Sequence, residues 1–161
     1  MEAQLTFTPD YAFFTLRDPE HDAAVNSAAA IAAARRDVAA STGYEVYVCC
    51  AQDRLAVHAT VSDSPPSDTT WWQIVHGLRL ACPSGELRLG DVTGQATAIT
   101  LPSGPGPYEV DVYHRSRETA VRRINELRQQ SPNGRLNEDD LARHGGVEEY
   151  HMYLRPAPES S

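Results

Sequence analysis

The sequence predicts an all-β (β-rich) fold: a single antiparallel β-sandwich of about eight strands, with an Ala-rich helix near the N-terminus and a helical insertion at about 117–145. Three observations lead there. Apolar and polar residues alternate with period two in run after run, and each run is closed by Gly, Pro or a Ser/Asp cluster. The chain has 161 residues, enough for one sizeable core and too few for two comfortable ones. We therefore expect one domain over 1–158 and a short polar tail at 159–161.

The elements follow in order. LTFTPDYAFFTLRD, rich in aromatics and threonine, reads as a strand pair or as one strand broken at Pro9. In DPEHDAAVNSAAAIAAARRDVAASTG, Asp18 suits an N-cap, Pro19 the first helical turn and Gly43 the stop. Its large apolar residues are only Val25, Ile31 and Val38, so a loosely docked helix is expected, with a partly ordered loop as the alternative. From Tyr44 the period becomes two. Tyr44, Val46, Val48 and Cys50 share one face, and Leu55, Val57, Ala59 and Val61 share another, with a hairpin-length link at Ala51 to Arg54. WWQIVHGLRLACPSG places Ile74, His76, Leu78, Leu80 and Cys82 in phase, and two short strands, GELRLGDV and TAITLP, come next.

LPSGPGPYEVDVYHR turns through Gly and Pro into a strand with Tyr108, Val110, Val112 and His114 inward and Glu109, Asp111, Tyr113 and Arg115 outward. A helix is then expected with Ala120, Ile124 and Leu127 on its buried stripe, and a second, short one with Asn137 as N-cap. VEEYHMYLRP restores alternation, with Tyr150, Met152 and Leu154 inward and Glu149, His151, Tyr153 and Arg155 outward. A plain hairpin needs about two to five residues. The much longer helical connection between the last two long strands is a surface feature of the kind that carries function.

Composition narrows the function classes. The fourteen basic residues are all arginine, and with twenty-two acidic residues the formal net charge is −8. That balance disfavours nucleic acid as a partner and favours encounter with a basic protein. No apolar run is long enough for a membrane span. The opening MEAQLTFTPD lacks a secretory pattern, although a mature product could have lost one. Cys49, Cys50 and Cys82 form no framework, which suits a reduced, cytoplasmic protein.

No motif supports catalysis. SGPGPY has no lysine and its prolines remove backbone donors, so it is no phosphate loop. GxSxG, CxxC and HExxH are absent, and no catalytic residue, metal site or cofactor is expected. Among the histidines, His76 and His114 share a face with core residues, while His58 and His151 share the outer one. The adjacent Trp71 and Trp72 point to opposite faces, the first into the core and the second available as an aromatic anchor. Outward Tyr113, Arg115, Glu149, His151 and Tyr153 extend that surface. Asp139 and Asp140 suit the dipole at the start of the second short helix, and with Glu138, Glu148 and Glu149 concentrate acidity near the end of the chain. The candidate binding residues are therefore Trp72, Tyr113, Arg115, Asp139, Asp140, Glu149, His151 and Tyr153.

LAVHATVSDSPP, WWQIVHGLRLACPSGELRL, LPSGPGPYEVDVYHRSR and VEEYHMYLRPAP together resemble a group of uncharacterised actinobacterial proteins. More distantly, residues 44–115 and 147–158 resemble the competence protein J family, whose members inhibit a DNA-entry nuclease. The insertion and the Ala-rich segment depart from that family's pattern. The resemblance implies an all-β sandwich with no catalytic residue to transfer, and a non-catalytic binding protein of immunity or nuclease-inhibitor type. The rival expectation is a small-molecule or enzymatic site built from His58, Tyr113, His114, Arg115 and His151. A homo-oligomer through the exposed strand faces is a third.

Overall fold

The computed structural model describes residues 1–21 and 25–158. The expected tail at 159–161, and the part of the Ala-rich helix expected at 22–24, lie outside the described residues. Among the described residues, ten strands form two five-stranded sheets, two strands more than the eight expected. The first sheet has the order β1 (Glu2–Phe7), β5 (Val57–Ser62), β10 (Glu149–Pro156), β9 (Gly106–Arg115), β6 (Gln73–Cys82). The second has the order β3 (Ala39–Ser41), β4 (Glu45–Cys49), β2 (Phe13–Arg17), β7 (Glu86–Asp91), β8 (Ala96–Thr100).

One core joins the sheets. Leu5, Phe7, Val57, Ala59, Val61, Val110, Val112, Met152 and Leu154 pack from the first sheet. Phe14, Leu16, Val46, Val48, Leu87, Leu89 and Ile99 meet them from the second. Along β4, β5, β9 and β10 the residues expected to face inward are buried, except Tyr44, which precedes β4 and is 43% exposed.

Three pairings differ from the sequence-based expectation. β1 and β2 do not pair with one another: a short 3-10 turn at Asp10–Ala12 carries the chain from one sheet to the other. The 51–54 link is no hairpin, because β4 and β5 also belong to different sheets. Finally, β5 and β10 run parallel, so the first sheet is mixed and the fold is not purely antiparallel. Short loops force antiparallel neighbours, but strands far apart in sequence are free to take either direction.

β6 carries a β-bulge between Val75 and Leu78, where three steps along β6 oppose two along β9. Gly77 adopts φ +69 there, a left-handed conformation that glycine takes without steric cost. The bulge reverses the alternation. Val75 packs on the core before it and Leu78, Leu80 and Cys82 after it, so Ile74 and His76 do not face inward as expected. His76 is exposed, its Nδ1 3.6 Å from Asp111 Oδ2.

The Ala-rich helix α1 is shorter than expected, Ser27–Asp37, with Asn26 as N-cap. Asp18 does not cap it. It is fully buried, and its carboxylate accepts hydrogen bonds from the Glu20 N–H at 2.8 Å and from the Ser84 N–H and hydroxyl at 2.9 and 2.8 Å. α1 docks through Ala30 and Ala34 on Tyr47, on the second sheet's outer side. The insertion matches expectation. α2 (Arg117–Gln130) buries Ala120, Ile124 and Leu127, and α3 (Glu138–Arg143) is capped by Asn137, whose side chain accepts the Asp139 N–H at 2.8 Å. Leu55 leaves the main core to pack with Ile124 and Leu127, holding the insertion against the chain between the sheets.

Candidate binding face

The outer face of the mixed sheet gathers the outward residues of β9 and β10 into cross-strand pairs. Register sets Arg115 beside Glu149, Tyr113 beside His151, Asp111 beside Tyr153 and Glu109 beside Arg155. Opposite charges thus meet across the strands, the arrangement that stabilises a sheet face. Arg115 Nε donates to Glu149 Oε2. Arg155 donates to Asp111 Oδ2 at 2.6 Å and to Glu109 Oε2 at 3.0 Å.

Asp111 is the buried member of this network. Burial alone would raise its carboxyl pKa, but hydrogen bonds from Arg155 and from the Gly77 N–H (2.7 Å) outweigh burial and hold it below the usual carboxylate range. A folded-state pKa below the unfolded one contributes stability above the unfolded value, about 3.9, and loses it as pH falls through the folded value. The native protein should therefore lose this contribution progressively as pH falls below about 4, whereas an Asp with an unperturbed pKa would add no pH dependence. Asp111→Asn is expected to flatten stability below pH 4 and to lower it at pH 7. Urea midpoints measured from pH 2.5 to 7 check this, and a variant curve parallel to the native one would refute it.

Above this charged row lies an aromatic cluster. The rings of Trp72, Tyr113 and His151 meet edge-on, with centroids 6.2 to 6.4 Å apart. The Arg115 guanidinium stacks 4.3 Å from the Trp72 ring centre, within cation–π range. Trp72 is held in place by the turn before β6, where Asp68 Oδ1 accepts the Thr70 N–H at 2.9 Å and the Trp72 N–H reaches the Thr69 carbonyl at 3.1 Å. His151 Nε2 lies 2.9 Å from the Ser64 carbonyl, which can only accept, so Nε2 carries the proton. Burial first, then Asp111 and Tyr153, push the Tyr113 hydroxyl pKa up, so it remains a hydrogen-bond donor. A groove of about 410 Å³ runs between this face and the 62–68 segment, lined by Thr60, Ser62, Pro66, Trp72, Arg115 and His151.

Six of the eight candidate residues, Trp72, Tyr113, Arg115, Glu149, His151 and Tyr153, thus share one face. Asp139 and Asp140 do not join them. They lie in the first turn of α3, where Asp140 pairs with Arg143. The acidic concentration is split further, since Glu148 is buried and Glu149 is tied to Arg115. His58 is on the same outer face, its Nδ1 2.9 Å from Thr6 Oγ1, and β5 and β10 are neighbours. His114 faces inward and is buried, apart from these residues.

Of the two tryptophans, Trp71 departs from its expected core role, while Trp72 lies on the outer face as expected. Trp71 is 81% exposed and not a core residue, while Trp72 is half-buried on the sheet face. β6 begins only at Gln73, so strand parity does not extend to residue 71. Sequence reasoning also missed the Glu109–Arg155–Asp111 network, for which the alternation was visible but the strand register was not.

The thiols are poorly placed for nucleophilic work. Burial raises the pKa of all three, that of Cys82 to about 12, so the reactive thiolate is disfavoured. Among the described residues, no group of three or more His, Cys, Asp or Glu side chains could hold a metal ion. Among them, too, no helix is long and apolar enough to cross a membrane.

No protein-family profile and no curated protein matches the chain. Among solved structures it is similar to ComJ, inhibitor of the DNA degrading activity of NucA, from Bacillus subtilis. That match has a TM-score of 0.58 and 9% identity, and covers 96% of each chain. It is also similar to a structure described as crocagin biosynthetic gene J, with a TM-score of 0.47 and 13% identity, covering 99% of this chain and 96% of that one. At 9% identity, the likeness to ComJ is one of fold.

Proposed function

We propose that residues 1–158 form one β-sandwich domain that acts as a non-catalytic binding protein of inhibitor type, with a nuclease as its protein partner. The observation that carries this reading is the Trp72–Tyr113–Arg115–His151 cluster, a preset aromatic and arginine surface of the composition that dominates protein interfaces. The ComJ-like fold supports it, because ComJ inhibits a nuclease. Glu149 and Tyr153 flank the contact, and Asp139 and Asp140 offer a second, acidic one to a basic partner. A net charge of −8 would speed that encounter. Three free thiols suit a reducing, cytoplasmic setting.

Trp72→Ala and Arg115→Ala are each expected to weaken the partner complex by about 2 kcal/mol, roughly thirtyfold. The assay is DNA degradation by nuclease fractions of the native host with increasing amounts of protein. The native chain should suppress degradation stoichiometrically, and each variant should need far more. Undiminished degradation at every ratio, together with no protein recovered on an immobilised native chain, would sink the proposal.

The 410 Å³ groove favours a second reading, a small-molecule site on the same face drawing on Arg115 and His151, which line it, while His58, Tyr113 and His114 do not. Binding of a metabolite pool that saturates without any protein partner would favour it. Light scattering separates both readings from a homo-oligomer.

A further inference from the structure

A different cavity, of about 330 Å³, opens where the end of β9 meets the start of α2. Trp71, Gln73, His114, Arg115 and the first turn of α2 line it, with Val38 opposite. Two features make it a site for negative charge. α2 is fourteen residues long and no side chain caps it. Its first internal bond runs from the Ala120 N–H to the Ser116 carbonyl at 3.0 Å, so the preceding N–H groups remain donors and the positive end of the helix dipole faces the cavity.

The second feature is independent. His114 is only 5% exposed, lines the cavity, and has no hydrogen-bond partner among the described residues. Among the described residues no fully buried side-chain nitrogen or oxygen lacks a partner, so the His114 nitrogens are open to the cavity, where solvent or a ligand can complete them. Burial first and the Arg117 guanidinium second lower its pKa to about 4, so at neutral pH it offers one N–H and one acceptor nitrogen. Two residues bordering the cavity, Val38 (φ 76) and Ser116 (φ 62), hold left-handed backbone conformations that are unusual for their side chains. Glu118 also borders it, but its side chain is exposed and solvent screens it.

We propose that this cavity binds a small carboxylate with a planar apolar body. The carboxylate accepts from the free N–H groups of α2 and from His114, beside Arg115 and Arg117, whose charges are already matched by Glu149 and Glu148. The body lies between Val38 and the exposed Trp71 indole, which has no core role to explain it. This site adjoins the partner face and shares Arg115 with it, but Trp72 does not line it.

The test uses the intact native protein, with benzoate as probe, neutral benzamide and inorganic phosphate as controls, and NMR detection. Benzoate should give saturable shifts at the His114 ring and at the Glu118 and Thr119 amides. It should also raise the His114 pKa, because a bound anion favours the imidazolium. Benzamide and phosphate should each bind at least tenfold more weakly. Trp71→Ala alters an exposed residue and should leave the fold intact while weakening benzoate about tenfold. His114→Gln should weaken it as well. Shifts that grow without saturating, shifts spread over the surface arginines, or benzamide binding as well as benzoate would each overturn the carboxylate assignment. Phosphate matching benzoate, or an unaffected Trp71→Ala variant, would overturn the apolar body.

Discussion

Replacing Glu148 by alanine is expected to lower the unfolding free energy by about 3–5 kcal/mol, the cost of removing one partner from a buried ionic network. Glu148 is buried just before β10. Its Oε1 accepts the Ala51 N–H at 2.6 Å and the Tyr150 hydroxyl, and lies 3.7 Å from the Arg117 guanidinium. Its Oε2 accepts the Gln52 amide at 2.9 Å. Alanine would leave the Ala51 N–H and one Gln52 amide hydrogen without an acceptor and Arg117 without its counter-charge, away from water. The network ties the link between the sheets (Ala51, Gln52) to the root of the insertion (Arg117) and to β10 (Tyr150), so its loss loosens three elements at once. For a chain of this size, the melting temperature should fall by roughly 6–20 °C. Urea unfolding followed by circular dichroism checks the magnitude. Glu148→Gln keeps the shape and should lose less, because only one oxygen becomes a donor. A Glu148→Ala variant within 1 kcal/mol of the native protein would mean that the network is dispensable.

Phe14→Ala is expected to destabilise by about 3–5 kcal/mol, the range for truncating a large buried aromatic. Phe14 belongs to β2 in the second sheet and is fully buried. Its ring meets Phe7 of β1 edge-on at 5.4 Å and Tyr150 of β10 at 5.3 Å, both in the first sheet. The cavity would therefore open between the sheets, where neighbours from both layers would have to move to close it. Phe14→Leu keeps most of the volume and should cost less than half as much. Chemical denaturation of the pair tests the order. Equal losses would show that ring geometry, not volume, holds the sheets together.

Much of the candidate binding face is legible in the sequence. Alternation in YEVDVYHR and EYHMYLRP separated inward from outward residues correctly along β9 and β10. Six of the eight candidate residues could be grouped once those strands proved adjacent. Asp139 and Asp140 could not, because a cluster in sequence need not be one in space. Trp71 was misassigned because parity was carried past the end of its strand. His76 was misassigned because a bulge at Gly77 shifts the phase within β6. Glu148 and Arg117 were hidden for a simpler reason. Their partnership spans thirty-one positions, and neither residue type announces burial.

The amino-acid sequence by itself determined what short-range chemistry controls. It specified the inward faces of β9 and β10, the apolar stripe of α2, the Asn137 cap of α3 and the acidic surplus that disfavours nucleic acid. These depend on neighbours a few residues away, through the pleat, the helical turn and the backbone donors at a helix start. The tertiary structure alone decided which strands share a sheet, that β5 and β10 run parallel, and that the chain crosses between layers after β1 and after β4. It alone brought Trp72 over Arg115 and left His114 facing a cavity. A period of two tells each side chain its face and says nothing of the neighbouring strand, because pairing is chosen by the packing of one shared core across the whole chain.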